Sequence, residues 1–348
     1  MSGVQLLQIG PEDADQRLDR WFRRLFAHVP QGRIEKMCRK GEIRIDGGRV
    51  KPATRVQTGQ TVRIPPLPAP GEQPQRRSAV TVSDADAAMM QEVVLYRDDH
   101  IIAINKPPGL PTQGGTGQTR HVDGLSEALK FGLDEKPRLV HRLDKDTSGV
   151  LLLARTRKVA AAITKAFQSK DTRKIYWAIA AGVPEIKTGT IAYGLVKAAG
   201  HGPHGAGEKM ICVHPNEVNE TEGAKRAVTD YIVIDALAQR AAWIGLAPIT
   251  GRTHQLRAHM AEIGHPIVGD GKYGGSGQTN EGDGWGAQLG GDISRKLHLH
   301  ARSLDFLHPV TRKRMLITAP LSEHMKKTWD LMGWRESDAQ DDPFEELE

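Results

Sequence analysis

The stretch Leu139–Ala154, LVHRLDKDTSGVLLLA, holds the densest group of side chains able to do chemistry in the 348-residue chain. His141, Arg142, Asp144, Lys145, Asp146, Thr147 and Ser148 crowd a polar turn between two apolar runs, and Gly149 closes it. The apolar run Val150–Ala154 that follows predicts a buried strand. A carboxylate at the mouth of such a strand, beside several cations, is held ionised and aimed into a cleft. The same residues could make an Asx-type turn with no chemistry at all. They do not form a kinase HRD loop, because Leu143 separates Arg142 from Asp144 and no Asn follows at the required place.

The turn needs elements to hold it. Val93–Asn105 predicts two strands meeting at a turn, followed by a Lys106-Pro107-Pro108-Gly109 break. The loop Gln113–Gly117 is glycine-rich, but it is neither a Walker motif nor GxGxxG. Thr156 can cap a helix over Arg157–Lys170, and Lys174–Ala181 predicts a strand carrying Tyr176. Residues Val196–Glu222 are expected to be irregular. There His201, His204, Cys212 and His214 match no standard metal spacing. Paired strands over Arg226–Ala236 and Ala242–Ile249 precede a helix over Thr253–Ile263 that sets Arg257 one turn from His254. After a glycine-rich insertion, Gly274–Gly291, come strands at Leu297–Phe306 and Arg314–Thr318 and a helix at Leu321–Met332. The tail Arg335–Glu348 carries seven acids against one Arg and is expected to be disordered.

The N-terminal part differs in character. Leu18, Trp21, Phe22, Leu25 and Phe26 repeat with helical spacing, and a second short helix fits Gln31–Arg39 before strands near Ile43–Ile45 and Val62–Ile64. Between Arg17 and Arg63 there are 13 Lys/Arg against 4 Asp/Glu, more positive than the +6 of the whole chain. A concentrated positive field of this kind, with a pI near 9.2, favours a polyanionic partner. A proline-rich stretch then gives an expected organisation of an N-terminal module over 1–65, a linker over 66–90, a main domain over 91–333 and the tail over 334–348. Two distant cysteines supply no disulfide framework, and neither a signal peptide nor a membrane-spanning run is expected, which points to a cytoplasmic protein.

HRLDKDTSG, RKIYWAIAAG (Arg173–Gly182) and GRTHQLRAHMAEIGHPIVGDGKYG (Gly251–Gly274) together resemble the RNA pseudouridine synthases. The likeness runs roughly from Val93 to Pro320. RLDRW, RIEKMCRKGEIRIDG and VQTGQTVRI resemble the S4 RNA-binding domain. These resemblances imply an α+β fold, with a mixed, mostly antiparallel central sheet, flanking helices and a small S4-like domain. They imply isomerisation of uridine to pseudouridine, with no cofactor and no metal, by a protein expected to be a monomer. They also imply an RNA partner. The S4-like module and the QGGTG loop are most similar to the branch acting on 23S ribosomal RNA or its large-subunit precursor.

By the same resemblance Asp144 is the catalytic aspartate, and Tyr176 stacks on the uracil and is a candidate base for the C5 proton. Arg257 pairs with the aspartate, and Arg142 fills the place vacated by the flipped base. The expected RNA-binding cations of the S4-like module are Arg17, Arg20, Arg33, Lys36, Arg39 and Lys40. A non-catalytic ribosome-assembly factor would be expected to lack Asp144, Tyr176 or Arg257, and all three are present. A glycoside hydrolase using Asp144 and Asp146 would have no use for the S4-like module.

Charge of this density gives affinity through counterion release and little sequence information. Deleting residues 1–65 is expected to reduce activity modestly on a short stem-loop and far more on whole 23S ribosomal RNA. The dependence of binding on log salt should flatten as well. Titrating both proteins against both RNAs at several salt concentrations checks this, and an unchanged salt slope would make the module a structural prop.

Overall fold

The computed structural model describes residues 3–67, 82–114, 120–167, 172–198, 209–274, 293–340 and 342–345. The chain divides into two compact units, Met1–Ala79 and Val80–Glu348.

In the first unit β1 (Gln5–Gln8) precedes helices α1 (Leu18–Leu25) and α2 (Gln31–Lys40), then β2 (Arg44–Ile45), β3 (Gly48–Arg49) and β4 (Thr61–Ile64). The strands form an antiparallel sheet in the order β1-β4-β2-β3. The helical spacing read from sequence is what buries Leu18, Trp21, Phe22 and Phe26 with Ile34 and Met37 in one core. Arg20, Arg33, Lys36 and Arg39 are exposed and enter none of the ion pairs found among the described residues. Arg17 differs: its guanidinium holds the buried Asp19 carboxylate at 2.7 Å, so part of its charge is committed to the fold. Lys40 lies 3.7 Å from Glu42, both exposed, a contact of little energetic weight.

The second unit opens with α3 (Asp84–Glu92), capped by the Ser83 side chain, so the stretch expected as linker ends in an ordered helix. Met90 of α3 is buried in the core beneath β5 (Val94–Arg97) and β6 (Ile101–Lys106). Next come α4 (Val122–Leu125), β7 (Arg138–Leu139), β8 (Ser148–Ala154), α5 (Arg157–Ala166), β9 (Arg173–Ala181) and β10 (Thr188–Lys197). Then follow β11 (Met210–Val213), β12 (Lys225–Leu237), β13 (Ala241–Pro248), α6 (Gln255–Glu262), β14 (Leu299–Leu307), β15 (Arg314–Thr318) and α7 (Glu323–Leu331). One sheet runs β11-β10-β12-β13-β9-β14-β8-β6-β5, with β15 on β14 and β7 on β8. Among the described residues only β8 and β14 pair in parallel, through His300 with Ser148 and Ala301 with Gly149. The mixed, mostly antiparallel sheet with flanking helices is the α+β arrangement expected. No helix among the described residues is long and apolar enough to cross a membrane.

Two expectations are corrected. Val196–Glu222 is not wholly irregular: β11 pairs with β10, and its alternate residues Met210 and Cys212 pack against Leu195, Ala227 and Ala258 while Ile211 is exposed. The acidic tail is not disordered as far as it is described. Trp334 and Phe344 are buried, and they outweigh the surrounding charge by packing on the core that holds Trp177, Trp243 and Trp329. Trp243 meets Trp177 at 4.7 Å and Trp329 at 5.5 Å, both edge to face, the geometry that aromatic quadrupoles favour. Asp342 of the tail pairs with Arg173 at 2.8 Å, and Glu336 with Arg302. Parts of Gln113–Gly117, Arg157–Lys170 and Val196–Glu222, with His201 and His204, and nearly all of the Gly274–Gly291 insertion lie outside the described residues.

Several histidines are built into this core as neutral acceptors or donors. His141 Nε2 accepts from the Leu152 amide at 2.9 Å, and His259 Nδ1 lies 2.9 Å from the Thr229 hydroxyl. His298 bonds Thr328 at 2.9 Å, and His300 joins Ser148 at 2.8 Å to the Ala319 carbonyl at 3.1 Å. Burial pushes His141 and His298 down to about 3, and His259 and His300 down to about 4. The unfolded chain therefore takes up these protons first, near pH 6.5, while the folded protein resists them. Stability should be full above about pH 6.5 and fall by several kcal/mol as pH drops toward 4. Denaturant titrations from pH 8 to pH 4 measure it, and a flat profile over that range would contradict the neutral assignment.

Candidate active site

Asp144 sits in the turn between β7 and β8, and the chain on both sides of it is pinned. The buried Thr112 hydroxyl donates to the Leu143 carbonyl at 2.6 Å and accepts from the Leu143 amide at 3.2 Å. On the other side the Lys145 carbonyl accepts from the Gly109 amide at 2.9 Å and from Lys106 Nζ at 3.0 Å. Lys106 is wholly buried, and its ammonium also donates to the Pro107 and Leu110 carbonyls, both at 2.9 Å. Burial pushes its pKa down to about 7 against the opposing pull of Asp146 and Asp144, while three carbonyls match its three protons.

The far end of the turn depends on Gly149. Its φ of +106° lies outside the usual range of L side chains, and an added Cβ would stand 2.2 Å from the Ala301 carbonyl oxygen. That close approach lets β8 run beside β14. Gly269 plays the same part opposite, where a Cβ would stand 2.0 Å from the Lys296 carbonyl oxygen. Val268 donates its amide to Ile179 and accepts from His298, which threads the segment between β9 and β14 and delivers Asp270 inward.

Asp270 is the residue the sequence reading missed, although it stands inside the quoted VGDGKYG motif. Its side chain is 0% exposed and grips Arg257 in a two-pronged bond, Nε to Oδ2 at 2.6 Å and Nη2 to Oδ1 at 2.7 Å. The remaining donor, Arg257 Nη1, reaches Asp144 Oδ2 at 3.2 Å. Burial opposes the Arg257 charge, but the hydrogen bonds and charge of Asp270, aided by Asp144, outweigh it and push its pKa above the ordinary value. Asp144 keeps 27% of its side chain exposed, so the pair is closed on the protein side and open toward solvent.

Tyr176 lies on β9, between Leu246 of β13 and Ala301 of β14, half-buried. Burial first, and the Asp144 charge second, push its phenol up. The structure thus brings Asp144, Arg257 and Tyr176 together. Arg142 stands two residues before Asp144, exposed, its guanidinium 3.5 Å from Gln113. Beyond Arg257 a cavity of about 370 Å³ is lined by Pro108, Gly109, Asp146, Lys272, Arg295 and Lys296. Three cations against one acid suit it to a phosphate-bearing chain.

The site thus sets a carboxylate turn beside the parallel pair of the sheet, with a buried arginine behind it. The chain belongs to the RNA pseudouridylate synthase family: residues 100–262 match it, and residues 16–62 match the S4 domain. It is accordingly an RNA pseudouridine synthase. It is 34% identical over 326 residues to ribosomal large subunit pseudouridine synthase C of Escherichia coli (strain K12), across 93% of this chain and 95% of that one. Identity to the Vibrio vulnificus (strain CMCP6) protein of the same name is 33% over 334 residues, with the same coverage. Among solved structures, human RNA pseudouridylate synthase domain containing 4 superposes with a TM-score of 0.55 at 27% identity, covering 71% of this chain and 95% of that one.

Lys106 gives this geometry a direct test. Lys106→Met keeps the bulk but leaves buried carbonyls without a donor, which costs about 1–3 kcal/mol. Lys145 then holds its turn through Gly109 alone, so turnover should fall with stability. Denaturant unfolding and single-turnover rates report the two, and unchanged turnover would show that the Gly109 bond suffices.

Proposed function

We propose that this enzyme isomerises specific uridines of 23S ribosomal RNA, with Asp144 as the group that engages the sugar. The observation that carries the role of Asp144 is its 3.2 Å bond from Arg257, itself locked by Asp270, beside an opening to solvent. A carboxylate so held is oriented from the protein side and keeps an oxygen turned toward the opening. The named large-subunit relatives support the choice of RNA.

A uridine within folded RNA must leave its stack before any of this can happen, at a cost of a few kcal/mol. Arg142, exposed and loosely held by Gln113, is proposed to fill the gap. Asp144 then meets C1′ or a neighbouring sugar proton, the N1–C1′ bond breaks, and the base rejoins through C5. Tyr176 offers its ring face to the uracil. In the free enzyme burial, and after it the charge on Asp144, keep the Tyr176 phenol protonated. The cavity beyond Arg257 supplies cations for the flanking RNA backbone.

Mapping pseudouridines in 23S ribosomal RNA with and without this protein tests the substrate. Sites that vanish on its removal and return with the wild type, but not with Asp144→Asn, are the expected result. The variant should fold and bind RNA while losing turnover by several orders of magnitude, each factor of ten being about 1.4 kcal/mol. Tyr176→Phe should bind normally and turn over slowly. Retention of more than about a tenth of the activity in Asp144→Asn would remove Asp144 from its role.

A further inference from the structure

His254 is the residue just before α6, at its N-terminal cap, in a conformation few side chains adopt, with φ 52° and ψ 20°. A left-handed non-glycine residue is strained, and such strain persists only where its surroundings impose it. One hydrogen bond and one close approach surround it here. The imidazole is 7% exposed, with Nε2 3.8 Å from Asp144 Oδ2, and its Nδ1 lies 3.1 Å from the Tyr273 hydroxyl.

The proton positions follow from the neighbours. The Tyr273 oxygen accepts from the Met210 amide at 2.8 Å, so its own proton is free to point at His254. Nδ1 of His254 then acts as acceptor, and the ring proton sits on Nε2, facing Asp144. Burial keeps the imidazole neutral against the attraction of Asp144, with Arg257 and Lys272 adding to the effect of burial. Asp270 opposes them. The edge-to-face contact of the two rings, 5.8 Å apart at 89°, fixes the orientation.

We propose that His254, held in its Nε2–H form by Tyr273, is a positioning residue that secures Oδ2 of Asp144 together with Arg257 and leaves Oδ1 for the sugar. Arg257 alone fixes one oxygen from one side and leaves the carboxylate free to turn about that bond. A second donor on the same oxygen removes that freedom. At 3.8 Å the contact is open in the free enzyme and closes when the carboxylate is drawn into reaction, as hydrogen bonds at such sites do. The inference rests on Asp144 being the group that meets the sugar.

The test uses the full-length protein, with unmodified 23S ribosomal RNA transcript as substrate. Wild type and Asp144→Asn establish first that the transcript is converted and that Asp144 is needed. Failure at that stage removes the reading on which the inference rests. His254→Ala and His254→Asn should then lower kcat about 100-fold at unchanged KM, the scale of a misplaced reacting group. Asn tolerates the left-handed backbone, so that variant stays folded while its shorter side chain cannot reach Asp144. His254→Gln can place an amide N–H where Nε2–H stands, and it should recover at least about tenfold over His254→Ala. Nitrogen-15 spectra of histidine-labelled protein, assigned by the signal lost in His254→Asn, should show the Nε2–H form, and Tyr273→Phe should disturb it. Equal rates for Gln and Ala, a loss confined to KM, or an Nδ1–H ring in the wild type would each overturn the proposal.

Discussion

The site depends on one buried arginine shared between two carboxylates. Arg257 spends two of its donors on Asp270, which solvent does not reach, and one on Asp144, which solvent does. A pair of this kind adds little net stability, because desolvation offsets much of the attraction. What it provides is direction. With Asp270 fixed by the Lys272 and Tyr273 amides, the guanidinium has one orientation left, and Asp144 inherits it. The two glycines on either side serve the same end, since Gly149 and Gly269 admit the backbone contacts beside which the two carboxylates reach one guanidinium.

Much of this was legible in the chain. The turn residues, the strand carrying Tyr176 and the helix carrying Arg257 are local patterns, and local patterns survive folding. Asp270 was not legible in the same way, because its meaning lies in a bond to a residue 13 positions away across a turn. Lys106 was read only as part of a loop break, since nothing in its neighbourhood tells an exposed lysine from one enclosed by three carbonyls. The tail misled for the converse reason. Its seven acids describe the average, whereas Trp334 and Phe344 decide where it goes.

The S4 domain shows how charge counting blurs distinct uses. Arg17 and Arg24 hold Asp19 and Asp13, carboxylates that lie against the core, and Arg17 was counted among the cations expected to meet RNA. Arg20, Arg33, Lys36 and Arg39 remain exposed, and they carry that expectation better. One charge count covers both uses, and Arg17, bonded to Asp19 with 46% of its side chain exposed, serves the fold while still facing solvent.

The place of β14 in the sheet has a consequence for the order in which the protein comes into being. A ribosome delivers the N-terminal end first, and domains fold as they emerge. The S4 domain draws its core from Ile9 to Leu67 alone. The sheet is different: β14, close to the C-terminal end, lies between β8 and β9, which are made some 120 to 150 residues earlier. Until Ala301 has been synthesised Gly149 has a partner strand only on the β6 side, through Lys106, and the segment bearing Asp270 has only one of its two walls. The growing chain therefore completes its S4 domain well before the strand that finishes the catalytic sheet exists, and Asp144 acquires its final surroundings only after β14 has been made.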